Sequence, residues 1–364
     1  MANTIPPRPG ISNISPYVGG ESKLVGQTKV IKLSSNEGAF GPSPKALTAL
    51  ADAAKVMHLY PDGGATALRE AIAERFDLDA DRIVCGAGSD EIISLLCFAY
   101  AGPGDEVLYS EHGFLMYPIS AHAAGATPVK APETNLITDV DALLDNVSDK
   151  TRIVFVANPN NPTGTYLSAQ EMTRLRQGLP DDVLLVIDAA YAEFVDEADY
   201  SAGVELVDAG QNTVMTRTFS KLFALGGLRV GWGYCPSEIA DILNRERGPF
   251  NVSSAGQAAA IASLQDIAFQ DMSRTHTQDW RTKTETALHD MGLKTTKSAA
   301  NFVLVQFDSP DIAEGCDAYL RDQGIIVRRM GGYGLPSSLR ISIGTSDDME
   351  ACLGAIRLFL EKSL

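Results

Sequence analysis

The sequence predicts an α/β protein: a large domain with a mostly parallel sheet covered by helices, followed by a small α+β domain. Three observations lead there. The 364 residues amount to roughly two domains at about 150 residues each. Short, almost wholly apolar runs such as RIVFVA and DVLLVID alternate with helical patterns, as strands buried on both faces do. After about Phe250 that alternation gives way to long helix and then to paired strands.

The elements follow in order. Residues 1–35 are Pro- and Gly-rich and then extended (KVIKLSS), an arm expected to pack on the small domain or a partner. From Pro44 to His58, Leu47, Leu50 and Ala54 recur at helical spacing. YPDGGATALREAIAERF turns at its glycines and starts a second helix, and RIVCGAG is a strand entering a glycine turn. SDEIISLLCFAYAG reads as a helix with Ser89 as N-cap and acids in its first turn. DEVLYSE and ATPVKAP are strands, and TNLITDVDALLDNVSDK is acidic and loop-like. RIVFVANP is a strand ending in a Pro/Asn loop, SAQEMTRLRQGL a helix, and DVLLVIDAAY, NTVMTRTF and LRVGWGYC are further strands. The large domain is thus placed at 36–250. Residues 251–364 hold a long helix to Met291, the strand NFVLVQF, the helix DIAEGCDAYLRDQG, strands IIVRRM and SLRISIG, and a closing helix.

Composition excludes several functions. Thirty Lys and Arg against 46 Asp and Glu give a net charge of −16, which speaks against nucleic acid and against a basic membrane patch. Five cysteines without a C-x-x-C pair suit reduced thiols in a cytoplasmic protein. The uncharged stretch Gly248 to Gln265 carries Asn251, Ser253, Ser254, Gln257 and Gln265, too polar to span a bilayer. The start, MANTIPPRPG, lacks the basic-then-apolar order of a secretory signal. His58, His112, His122, His276 and His289 show no metal-ligand spacing, so no metal site is expected. His112 could edge a ligand through its neighbour Phe114, but a structural role suits it better.

Ligands of open α/β sheets bind beyond the carboxyl ends of the strands. GAGSDE, NPNNPTG, Asp188 with Tyr191, and TFSK each follow a strand and so face one crevice. Lys221, set between hydroxyls and the apolar FALGGL run, is partly dehydrated, which lowers its pKa and makes it a usable amine nucleophile. Thr218, Ser220, Arg229 and the backbone N–H groups opening the Ser89 helix would cradle a phosphate. Asp188 at the end of a buried strand needs a cation, and a protonated pyridine nitrogen is one. Together these describe a pyridoxal 5'-phosphate site. A nucleotide-binding protein without catalysis would need a third glycine in GAGSDE and would leave Lys221, Asp188 and Arg229 without a joint purpose.

SNEGAFGPSP, YPDGG, GAGSDE, NPNNPTG, IDAAYAEF, TFSKLFALGGLRVGW and SLRISIGT, in this order, resemble the fold-type I pyridoxal phosphate aminotransferases. Within these the chain is most similar to the histidinol-phosphate aminotransferase group. The resemblance implies that Lys221 holds the cofactor aldehyde and that Asp188 pairs with the pyridine nitrogen. Asn161 and Tyr191 would contact the ring hydroxyl, and Phe114 would stack on the ring. Gly88, Ser89, Asp90, Thr218, Ser220 and Arg229 would surround the phosphate, joined by Tyr60 of a neighbouring subunit in a homodimer with shared sites. Arg340 and Arg328 would bind substrate anions, with Asn36 and Tyr17 lining the substrate side. The implied reaction is transamination of L-histidinol phosphate with 2-oxoglutarate in histidine biosynthesis. An aromatic amino acid aminotransferase, or a decarboxylase of a phosphorylated substrate, would share the same cofactor motifs. The chain departs from the family at Gly38-Ala39, where relatives often end in Pro, and at Phe114, which replaces a Tyr. Arg328 and Arg329 are adjacent, so strand alternation sends one of them away from the site, and Arg328 is the one expected to face it.

Overall fold

The apolar runs in the middle of the chain become one seven-stranded sheet. In this computed structural model, residues 5–17, 19–24, 26, 30–210 and 212–363 are described. Lys29, the first residue of the expected extended stretch, and residues 1–4 of the arm lie outside them. The chain passes from β1 (Ile31–Lys32) through α1 (Pro44–Ala54) and α2 (Thr66–Phe76) to β2 (Ile83–Gly86). Ser43 caps α1 through its side chain, with Pro44 at the first helical position. Next come α3 (Ser89–Tyr100), β3 (Glu106–Ser110), α4 (Met116–Ala124) and β4 (Thr127–Ala131). The acidic segment expected as loop is instead a hairpin, β5 (Glu133–Thr134) with β6 (Ile137–Thr138), and a short helix, α5 (Val140–Asp145). Its pattern hides two inward residues, Val140 and Leu143, and Asp139 caps the helix at the Ala142 N–H. Then follow β7 (Thr151–Ala157), α6 (Ala169–Gly178), β8 (Leu184–Asp188), α7 (Val204–Ala209), β9 (Thr213–Thr218), β10 (Gly231–Tyr234) and α8 (Ser237–Glu246).

The sheet runs β2-β10-β9-β8-β7-β3-β4. Only β10 runs antiparallel to its neighbours; β9, β8, β7, β3 and β4 pair in parallel. Ile92, Ile93, Phe155 and Val186 fill one face under α3, α4 and α8, and Phe219, Trp232, Met215 and Phe302 lie in another apolar layer. Burial on both faces explains why β7 and β8 carry hardly a polar residue.

The expected long helix is two: α9 (Ser254–Leu264) and α10 (Ile267–Asp290). Asp266 leaves helical geometry, and the Gln270 amide donates to Ser263 O at 2.7 Å and Leu264 O at 3.1 Å, satisfying the carbonyls that end α9. After them come β11 (Lys294–Thr295), β12 (Phe302–Gln306), α11 (Pro310–Asp322), β13 (Ile325–Ile326), β14 (Arg328–Arg329), β15 (Ser338–Ser342) and α12 (Ser346–Ser363). An antiparallel sheet, β11-β12-β15-β14, packs its apolar face on α11 and α12. The arm ends on this unit. β1 pairs in parallel with β13, and Leu33 joins the same apolar cluster as Val305 and Ile341.

Candidate active site

Beyond the carboxyl ends of β7, β8 and β9 lies a cavity of about 450 Å³. Asp188, the last residue of β8, is 5% exposed and lines it. Its carboxylate accepts from Tyr117 Oη at 2.9 Å and Thr216 Oγ1 at 3.3 Å. Burial pushes its pKa up, while those two donors, the Ala190 N–H and the Lys221 charge oppose the rise. Tyr191 follows, its hydroxyl accepting from the Asn36 amide at 2.9 Å and its ring edge-on to Phe302. Asn36 is itself fixed in a left-handed backbone conformation by Ser342 and Asn301.

β9 delivers the lysine. Thr218 ends the strand, Phe219 turns into the core, and Lys221 Nζ reaches the cavity, 3.4 Å from Ser35 O. Dehydration, followed by the nearby Arg340 and Arg229 charges, holds its pKa down at about 8, against the opposing pull of Glu37 and Asp188. Near neutral pH the amine is still mostly charged, but it yields its proton far more readily than an ordinary lysine, as a nucleophile or base requires.

The phosphate-sized end is built by the opening of α3. Gly88, not Ser89, holds the cap position, at φ 95°, and Ser89 is the first helical residue. A side chain at Gly88 would collide with Arg229 Nη2 and Asp90 Oδ1, both 2.1 Å from its would-be Cβ, and one at Gly231 would strike Ser89 N at 2.2 Å. Arg229 does not open a strand. The single turn at Gly226–Leu228 precedes it, it takes φ 53°, and its guanidinium lies on Asp90 at 2.6 Å and Gly226 O at 3.0 Å. Thr218 Oγ1 donates to Ser220 Oγ at 3.0 Å beside it. Helix N–H groups, two hydroxyls and a guanidinium at one end, a buried carboxylate, and a dehydrated lysine between them fit the phosphate, ring nitrogen and aldehyde of pyridoxal 5'-phosphate.

The opposite wall comes from the small sheet and the arm. Arg340 is 5% exposed, donates to Asn161 Oδ1 and to Ser34 O at 3.1 Å, and keeps a buried Nε without a hydrogen-bond partner. Arg328 sits directly across from it in the β14–β15 register, so both side chains share one face and both line the cavity. Arg329 points away, exposed and paired with Glu314 at 2.9 Å. Phe114 and Tyr17 line the cavity as well. Tyr60 does not: it is 83% exposed and stacks on Phe250 at 4.7 Å. His112 hydrogen-bonds Tyr333 O through Nδ1 at 2.7 Å, tying the Phe114 loop to the small domain.

Sequence reasoning missed Tyr117, Thr216 and Tyr333. Thr216 was findable, two residues before Thr218 and so on its strand face. Tyr117 sits in an apolar helix and gave no signal.

A dehydrated lysine, a buried acid and an anion cradle at the strand ends of a fold-type I α/β architecture define a pyridoxal-phosphate-type transferase site. The Aminotransferase class I and II profile matches residues 28–356, and the chain belongs to that family. It is 57% identical to the histidinol-phosphate aminotransferase of Paramagnetospirillum magneticum over 97% of this chain and 98% of that one. It is also 57% identical to that of Rhodospirillum rubrum, over 97% and 96%. Among solved structures, histidinol-phosphate aminotransferase from Sinorhizobium meliloti in complex with pyridoxal-5'-phosphate superposes with a TM-score of 0.90, at 28% identity, over 98% of both chains.

Proposed function

We propose that this chain transfers the amino group of L-histidinol phosphate to 2-oxoglutarate, giving imidazole acetol phosphate and L-glutamate in histidine biosynthesis, with pyridoxal 5'-phosphate as cofactor. One observation carries the substrate side: Arg328 and Arg340 stand side by side on the wall facing Lys221. Two guanidiniums suit a phosphate-bearing donor and a dicarboxylic acceptor better than an uncharged aromatic side chain. Relatives of 50–57% identity named histidinol-phosphate aminotransferase support the same reading.

When bound, the cofactor supplies an aldehyde for the amino group and a pyridinium ring that takes up the electron pair released at the substrate α-carbon. The residues do the rest. Arg229 and the α3 N-terminus would grip the phosphate, Asp188 would pair with the ring nitrogen, and Asn161 and Tyr191 would orient the ring hydroxyl. Arg340 and Arg328 hold the substrate anions and so present the α-carbon to Lys221 Nζ, which takes its proton as general base. The chain works as a cytoplasmic homodimer in which Tyr60 reaches the phosphate cradle of a second copy. Its exposure, with Met57 and Leu59 also exposed beside it, supports that assembly. Among the described residues no helix is long and apolar enough to cross a membrane. Comparing kcat/KM for histidinol phosphate and phenylalanine, both with 2-oxoglutarate, tests the substrate. A higher value for phenylalanine defeats it. Sedimentation of the full chain tests the dimer.

A further inference from the structure

We propose that Tyr117 is the positioning residue of this site: its hydroxyl, donated to Oδ2 of Asp188, fixes that carboxylate as the anion that meets a protonated ring nitrogen. The proposal rests on the cofactor reading above. Tyr117 is 1% exposed and opens α4 one turn after Phe114. Its ring is held on three sides, stacked on Phe155 at 4.6 Å and 5°, and edge-on to Tyr109 and Phe114. So clamped, the phenol has little freedom to turn, and its O–H meets Asp188 at 2.9 Å. Thr216, directly opposite Asp188 in the β8–β9 register, donates to the other oxygen at 3.3 Å.

Burial disfavours the ionised form of Asp188, and the hydrogen-bond donors around it, with the Lys221 charge, work against that. The titratable groups facing it are Tyr117 from α4, Lys221 beyond β9, and Tyr191 and Tyr200 from the segment after β8. Burial pushes all three tyrosines up, so they remain neutral at working pH. Of the three, Tyr117 is the one that donates to the carboxylate; Tyr191 lies against Asn36, and Tyr200 donates to Asn158 O at 2.8 Å. Phe at position 117 would preserve the ring stack and remove only the donor. The aspartate would then take up a proton at a higher pH.

The test is equilibrium binding of pyridoxamine 5'-phosphate, which forms no covalent bond with Lys221, to the full-length chain across pH 5–8, with inorganic phosphate as control probe. Tyr117→Phe should weaken pyridoxamine 5'-phosphate ~10–100-fold, the range for a hydrogen bond to a charged group. The acid-side loss of affinity should also begin at higher pH, while phosphate binds as before. Thr216→Val should move the same way by less, and it serves if Tyr117→Phe does not fold. An unchanged profile overturns the proposal. A pH-independent loss that includes inorganic phosphate also overturns it, by making Tyr117 merely structural. If the parent chain binds neither probe, the cofactor reading itself falls, which is a distinct result.

Discussion

The two walls of the cavity are built differently. On the large-sheet side, Asp188, Tyr191 and Thr218 are almost wholly buried, and each is held by hydrogen bonds or ring contacts within the protein. Asp188 ends β8 between two parallel neighbours, Thr218 ends β9 against the antiparallel β10, and Tyr191 lies in the turn just beyond β8. On the other wall, Arg328 is half-buried on a two-residue strand, and Tyr17 is 49% exposed in the arm. Groups that must hold reacting atoms within fractions of an ångström are placed on the rigid scaffold. Groups that choose the substrate are carried by a separate unit that can vary without disturbing them. Arg340 bridges the two, since it belongs to the small sheet yet bonds Asn161 at the end of β7's loop.

The comparison breaks most sharply at Lys221. Lys221→Ala should reduce turnover by more than the ~10²–10⁴-fold typical of losing a general base alone, because the covalent anchor goes with it. Pyridoxal 5'-phosphate should still bind through Arg229, Asp188 and the α3 N-terminus, measured by dialysis beside the rate. Retained turnover would sink the assignment. Arg340→Ala comes next, with kcat/KM for both half-reactions falling roughly 10²–10³-fold, as truncating a buried charge partner does. Because Arg340 also holds Asn161, cofactor affinity should drop slightly too, which marks it as the bridge. Arg328→Ala should cost about tenfold, and for histidinol phosphate more than for 2-oxoglutarate. Equal losses for the two would mean that Arg328 does not discriminate between the anions.

The large-sheet wall was the legible one. A strand end announces itself by an apolar run meeting Asp, Lys or Gly, so Asp188, Lys221 and the Gly88 turn could be read from their positions. Strand alternation likewise separated Arg328 from Arg329, and the structure shows them on opposite sides, one in the cavity and one on Glu314. Tyr117 stayed hidden because a buried phenol in MYPISAHAA reads as ordinary core, and its partner lies 71 residues away. The break between α9 and α10 was invisible for a similar reason. Neither Gly nor Pro marks it; a glutamine from the next turn caps the helix end. Ser89 was assigned the cap because hydroxyls usually take it. The close approach of Arg229 and Asp90 admits only glycine one residue earlier.

The smallest expected effect separates the walls by stability rather than rate. With a folded-state pKa near 8 against an ordinary 10.5, Lys221 is a base depressed by folding. Below about pH 8 it is charged in both states, and its dehydration cost to the fold is fully present. Between about 8 and 10.5 the folded chain has released the proton while the unfolded chain still holds it, so the cost fades as pH rises. Lys221→Met in the cofactor-free chain should therefore stabilise at pH 7 by on the order of 1–2 kcal/mol. That is less than the roughly 3 kcal/mol of a fully dehydrated lysine shifted this far, since the cavity leaves Nζ partly hydrated. The gain should shrink towards zero by pH 10. Arg328→Met, on the half-buried wall, should show no such pH dependence. Paired urea melts of both variants and the parent at pH 7 and pH 10 decide it. A gain at Lys221 that is the same at both pH values would mean that the lysine is not dehydrated by the fold, and that the two walls differ less than their geometry implies.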